Sequence, residues 1–229
     1  MTKNPIYCAI DTNDVKYAIA LIDKIKDSIG GIKLGLEFYT HCGIEGINKI
    51  KDIGLPIFID LKLYDIPNTT KSALQGILNL KPEFTTLHIS GGSEMLTECV
   101  NIRNLSQSKT GLIGVTVLTS LDDEGIEELG LSNSLDDQVL KLAKIADKNM
   151  LDGIVCSPHE IKMIKQETSN KLKLIVPGIR SSSDNANDQK RTMSASEAIN
   201  TGADVLVIGR PITMANDPAE AAYKIFKSL

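Results

Sequence analysis

Two carboxylates and an ammonium stand close together at Asp60, Lys62 and Asp65, directly after the apolar run Ile57-Phe58-Ile59. In an extended backbone alternate side chains share a face. Phe58, Asp60 and Lys62 therefore lie together, and Ile57, Ile59 and Leu61 face the other way. Ions on a strand that begins as core cost several kcal/mol each unless opposite charges meet. Pro67 suits the first turn of a helix, with Thr69 near its start. The stretch reads as a strand, a short loop and a helix start, with acid, base and acid at the junction. Such acids repel an anionic group on a bound molecule. Loss of that group as neutral CO2 relieves the repulsion, and Lys62 can then protonate the carbanion left behind.

Further polar residues end other apolar runs. Asp11 closes Ile6–Ile10, Lys33 lies within Ile32–Gly35, and His88 lies near the end of Phe84–Ile89. Thr119-Ser120 follows Gly111–Leu118, Arg180 follows Leu172–Val176, and Gly209-Arg210 follows Val205–Ile208. Between these runs lie helical patterns, at Val15–Ile25, Ile44–Ile53, Thr70–Leu80, Gly92–Leu105, Leu135–Met150 and Ala195–Asn200, with others after Pro158 and at the C-terminus. About eight strands alternating with helices imply a parallel sheet covered by helices. In 229 residues that pattern predicts an α/β fold, a closed (β/α)8 barrel occupying residues 1–229 as a single domain. An open doubly wound sheet would place a glycine-rich turn after the first strand, but Asp11-Thr12-Asn13 stands there.

In such barrels the C-terminal strand ends build the active site. Asp11, Lys33, Asp60 and Lys62 then alternate in sign across three strands. Neighbours at about 4 Å attract by roughly 1–4 kcal/mol, depending on the effective dielectric. An anion site is expected at Gly209-Arg210, where Pro211 begins a helix and arginine offers a bidentate fork. Arg180 and Gln189 flank a Ser/Asn/Asp-rich loop from Ser181 to about Gln189, which has the composition of a closing lid. The bland readings are a structural ion pair at Asp60 and Lys62, a helix cap at Thr119-Ser120, and a satisfied strand-end histidine at His88.

Composition narrows the class. The net charge is −4 and 42% of residues are hydrophobic. The pI is about 5.5. Nothing in this balance points to nucleic acid or an anionic membrane. The four cysteines, Cys8, Cys42, Cys99 and Cys156, show no C-x-x-C spacing and read as core residues in a reducing compartment. Three histidines without paired spacing give no metal signal. No apolar stretch approaches the roughly 20 residues of a membrane span, and no signal peptide is expected, so a cytoplasmic protein is predicted.

The block DLKLYDIPNT (60–69) resembles the signature of the orotidine 5′-phosphate decarboxylase family. LHISGG (87–92), VTVLTS (115–120), PGIR (177–180) with Asp188-Gln189, and VIGRPI (207–212) agree with it, as do Asp11 and Lys33. Asp-x-Lys-x-x-Asp also occurs in related barrels acting on sugar phosphates, including keto-gulonate phosphate decarboxylase and hexulose-phosphate synthase. The continuation Ile-Pro-Asn-Thr and the arginine blocks favour the orotidylate enzyme. Tyr64 stands where many relatives have His.

The resemblance implies decarboxylation of orotidine 5′-phosphate to UMP, with no metal and no organic cofactor. Lys62 would protonate C6, and Asp60, with Asp65 from a partner subunit, would stress the substrate carboxylate. Asp65 and Thr69 would reach into a partner subunit's site, making a homodimer. Asp11 and Lys33 would hold the ribose, Lys33 also bracing the catalytic charge row, and Thr119 with Ser120 would hold the pyrimidine. Gln189, Gly209 and Arg210 would hold the phosphate, with Arg180 in the closing loop. The alternatives are a Mg-dependent sugar-phosphate lyase and a catalytically silent nucleotide-binding barrel.

Overall fold

A computed structural model describes residues 4–169, 171–180 and 193–229. Eight parallel strands follow one another around a closed barrel, and the last pairs with the first. They are β1 (Ile6–Ala9), β2 (Gly31–Gly35), β3 (Ile57–Leu63), β4 (Phe84–His88), β5 (Gly111–Val115), β6 (Gly153–Val155), β7 (Lys173–Val176) and β8 (Val205–Ile208). Closure runs through the register Ile6↔Leu206 and Cys8↔Ile208. The helices are α1 (Val15–Ile25), α2 (Leu36–Lys51), α3 (Pro67–Leu78), α4 (Gly92–Leu105), α5 (Asp123–Glu128), α6 (Leu135–Lys148), α7 (Ile161–Glu167), α8 (Ala195–Thr201), α9 (Arg210–Thr213) and α10 (Pro218–Lys227). The barrel predicted from alternating strands and helices is the one observed.

Both strand faces are covered, which explains the nearly continuous apolar runs. Ile6, Cys8, Ile57 and Ile59 face the helices and join a large outer core layer. Tyr7, Phe58, Phe84, Ile113, Ile175 and Val205 fill the interior. The Phe84 ring lies 5.8 Å from Tyr7 and 5.9 Å from Phe58, centroid to centroid. Gly31 makes room for this plug, since a Cβ there would stand 2.3 Å from the Tyr7 ring. The Tyr7 hydroxyl donates to Glu83 Oε2 at 2.5 Å. Burial, reinforced by that carboxylate, pushes the phenol's pKa upward. The floor of the barrel is thus packed and its opposite mouth is left for polar groups.

Local signals set the helices. α1 buries Ala18, Leu21, Ile22 and Ile25 on one stripe, and Asp14 caps it by accepting from Lys16 N and Tyr17 N. α3 begins at Pro67, as the sequence suggests. Three elements differ from expectation. α2 starts at Leu36, well before Ile44, because buried Phe38 continues the apolar stripe through Ile47 and Ile50. Gly43, at φ 59°, kinks it. The polar segment before α6 contains α5, capped by Asp122. The helix opened at Arg210 is only α9, four residues long, with α10 beyond it.

At the floor two strand starts are clasped by carboxylates. The backbone N–H of Asp152 donates to Leu112 O at 3.0 Å, and its side chain accepts from Leu112 N at 2.8 Å. Arg103 Nη1 donates to the same Asp152 oxygen at 2.7 Å. Asp204 repeats the clasp on Leu174, with 3.0 Å for its N–H and 2.8 Å for its carboxylate.

Candidate active site

The mouth holds a cavity of about 530 Å3, lined among others by Asp11, Lys33, Asp60, Lys62, Thr119, Arg180, Gly209 and Arg210. The sequence-predicted residues of β1, β2, β3, β7 and β8 therefore converge. On β3 the interior face is apolar at the floor and turns polar at the C-terminal end, so Phe58 lies below Asp60 and Lys62 on one face.

Asp60 is the centre of the charge row. Its side chain is nearly enclosed, at 11% exposure. Lys62 Nζ donates to both of its oxygens at 2.9 Å. Lys33 Nζ lies 3.5 Å from Oδ2 and 3.6 Å from Asp11 Oδ1. Burial, the largest single influence, pushes the Asp60 pKa up. The charges of Lys33 and Lys62, with hydrogen bonds from Lys62 and Thr86, outweigh it and hold the carboxyl below its ordinary value. Asp60 is thus an ionised acid inside the cavity. Gly35 keeps the row open, because a Cβ there would stand 2.9 Å from Lys33 Nζ and 3.3 Å from Asp11 Oδ1.

Lys62 reaches this position through an irregular backbone. The β3–β4 ladder pairs Ile59 with Thr85 but Leu63 with Leu87, so the register shifts between them. Within the bulge Lys62 has φ 52°, a left-handed conformation that costs a non-glycine residue about 1–2 kcal/mol. Its N–H donates to Thr86 Oγ1 at 2.8 Å, and that hydroxyl donates to Asp60 Oδ1 at 2.9 Å. Thr86 carries no signal in the sequence reading. A threonine in a strand is an ordinary β-former, and only the bulge gives it partners.

Around the rest of the barrel, from β5 to β8, the cavity lining is aliphatic: Val115, Val117, Val155, Ile175 and Val207. The two arginines, one after β7 and one opening α9, supply positive charge at the β7–β8 side of the mouth. Arg180 Nη1 donates to Ile179 O at 3.0 Å. The cavity therefore pairs an ionic wall with a low-dielectric one and adds cations for an anionic ligand.

Three predicted residues do not line this cavity. Asp65 and Thr69 are exposed on the rim at the β3–α3 junction, where Asp65 Oδ1 accepts from Ile66 N at 2.7 Å. Ser120 is exposed beside Thr119. Gln189, with the loop from Ser181, lies outside the described residues. His88 ends β4 with its ring 5.3 Å from that of Tyr64. Burial first, then the charge of Lys62, lowers its pKa, which favours a neutral imidazole.

Comparison with known proteins adds the ancestry of this arrangement. A family model described as orotidine 5′-phosphate decarboxylase / HUMPS family matches residues 4–225. A protein of Wolbachia pipientis subsp. Culex pipiens named orotidine 5′-phosphate decarboxylase is 48% identical over 226 residues, covering 99% of each chain. One of the same name from Paramagnetospirillum magneticum is 46% identical over 227 residues, covering 97% of each. The crystal structure of orotidine 5′-phosphate decarboxylase from Lactobacillus acidophilus superposes with a TM-score of 0.87 at 31% identity, covering 98% of both chains. The resemblance carried by residues 60–69 thus extends along the barrel from before β1 into α10, and by that likeness the chain belongs to the orotidine 5′-phosphate decarboxylase / HUMPS family.

Proposed function

We propose that this protein is a carboxy-lyase that converts orotidine 5′-phosphate to UMP and CO2 in pyrimidine nucleotide synthesis. The observation that carries the proposal is the row Lys33–Asp60–Lys62, with contacts of 3.5 and 2.9 Å, in a cavity whose lining from β5 to β8 is aliphatic. The relatives' names support the same reading.

The step needs only this chain's charges. The substrate carboxylate lies beside Asp60, whose ionised form repels it. The C6–carboxylate bond breaks, CO2 departs toward the aliphatic wall, and the electron pair stays on C6. The Lys62 ammonium gives a proton to C6, and the resulting amine recovers one from water. Preorganised charges act more strongly where water is excluded. Asp11 and Lys33 hold the ribose hydroxyls, Thr119 with Ser120 the pyrimidine, and Gly209, Arg210 and Gln189 the phosphate. Arg180 adds its charge from the loop that follows β7.

The working unit of this reading is a cytoplasmic homodimer of single-domain chains. Asp65 and Thr69 project from the rim rather than into their own cavity, which suits residues that complete a partner's site. Tyr64 and Ile66 beside them are 61% and 67% exposed, apolar surface of the kind that interfaces bury.

The test is loss of the ultraviolet absorbance of orotidine 5′-phosphate on mixing with purified protein, with and without EDTA. Metal-independent loss is expected. Folded protein that leaves the substrate intact, yet acts on a sugar phosphate with added Mg2+, would overturn the proposal.

A further inference from the structure

We infer that Thr86 is a positioning residue of this site, whose hydroxyl sets both the carboxylate plane of Asp60 and the backbone of Lys62. The inference rests on the decarboxylase reading and deepens it.

Thr86 lies fully buried on β4 and does not line the cavity, so any action it has runs through its neighbours. Its Oγ1 makes two hydrogen bonds, to Lys62 N at 2.8 Å and to Asp60 Oδ1 at 2.9 Å. An amide N–H can only donate, so the hydroxyl accepts from Lys62. Its single proton is left for the carboxylate. The direction of the chain, from the Lys62 backbone through Thr86 to Asp60, is therefore set by chemistry and not by a free rotor.

The register shift explains why a side chain is needed. Between Ile59 and Leu63 the ladder to β4 is interrupted, and the Lys62 N–H finds its acceptor in a side chain of that strand. The bond holds Lys62 in its left-handed conformation. Meanwhile Asp60 Oδ1 is occupied by Thr86 and Lys62, and Oδ2 by Lys62 and Lys33. Rotation of the carboxylate about its axis would break these contacts. Lys62 is thus located from both ends, at its backbone by Thr86 and at its amine by an acid that Thr86 orients.

β4 also contains an internal control. Thr85, the preceding residue, is fully buried, and its Oγ1 makes no hydrogen bond among the described residues. Replacing threonine by valine removes the hydroxyl at either position while nearly keeping the volume.

The experiment is steady-state kinetics with orotidine 5′-phosphate for the wild type and for Thr86→Val, Thr86→Ser and Thr85→Val. Thr86→Val should lower kcat by about ten- to a hundredfold while KM moves less than about threefold, the signature of a misplaced reacting group. Thr86→Ser should recover most of that loss, and Thr85→Val should stay within about twofold of wild type. Wild-type kcat in Thr86→Val, a loss carried by KM alone, or equal impairment of Thr86→Ser would overturn the inference. If Thr86→Val does not fold, Thr86→Cys takes its place, since a thiol is a weak donor and acceptor.

A second readout needs no turnover. The carboxyl carbon of Asp60, followed by NMR in aspartate-labelled protein, should titrate at higher pH in the Thr86 variant than in wild type, because a hydrogen bond to the charged form is lost. An unmoved titration would overturn the inference. If wild type leaves orotidine 5′-phosphate intact, the decarboxylase reading fails, and the titration still decides the role of Thr86.

Discussion

Asp60 and Lys62 share two contacts of 2.9 Å, and each makes the other's presence tolerable in a site that is mostly enclosed. Both were legible in the sequence, because a charged pair at the end of an apolar run demands an explanation. Thr86 was not, since its role depends on a bulge that no residue pattern announces. Replacement of Lys62 by Ala should lower kcat by about 10²–10⁴-fold, the usual share of a positioned proton donor. Single-turnover measurement with saturating substrate checks this, and near-normal turnover would remove Lys62 from the mechanism. Asp60 supports a pH prediction whose sign follows from its lowered pKa. Its ionised form stabilises the fold above the unfolded value of about 4, and that contribution is lost as pH falls through the folded value. Asp60→Asn should therefore be less stable than wild type near pH 7, with the gap closing below about pH 4. Urea unfolding at several pH values measures the gap.

Strand β3 carries two jobs along its length. Its first residues belong to both core layers, Phe58 inside and Ile57 and Ile59 outside, and its last residues hold the charge row. The division is general to the barrel, with the floor built for closure and the mouth for ligand. Asp152→Ala tests that division. It removes the acceptor of both Leu112 N and Arg103, and should cost about 1–3 kcal/mol of stability. Tm should fall by roughly 2–4 °C for each kcal/mol, while kcat at a permissive temperature stays at the wild-type value. A matching fall in kcat of folded protein would mean that floor and mouth are coupled. At this scale the strands were legible from apolar runs and their spacing. The early start of α2 was less so, because Thr40, His41 and Gly43 are weak helix formers and its buried contacts, Phe38 and Ile47, are supplied by packing.

At the scale of the whole molecule, there is a rim that the described residues leave uncovered. Tyr64 and Ile66 are exposed there, beside Asp65 and Thr69. No periodicity in the sequence says what meets such a surface, since a partner's contribution is not written in the local pattern of either chain. If the rim is the dimer contact, sedimentation should show a dimer. Ile66→Asp should then weaken association by about 2 kcal/mol or more, roughly thirtyfold in Kd. Activity should fall with protein concentration in that variant and recover as concentration rises. A fully active monomer would separate the rim from the chemistry.

The left-handed backbone at Lys62 has a consequence for the lineage of such a chain. The position calls for glycine on conformational grounds and for lysine on chemical ones. If selection for turnover were relaxed, the backbone at this position would accept glycine more readily than any other residue, although Asp60 would lose its closest cation. Lys62→Gly should be about 1 kcal/mol more stable than Lys62→Ala, because only glycine enters that region freely. Thermal unfolding of the two inactive variants compares them directly. Backbone preference and chemistry therefore pull this position in opposite directions, and what holds the lysine there is the ion pair and the reaction, not the shape of the chain.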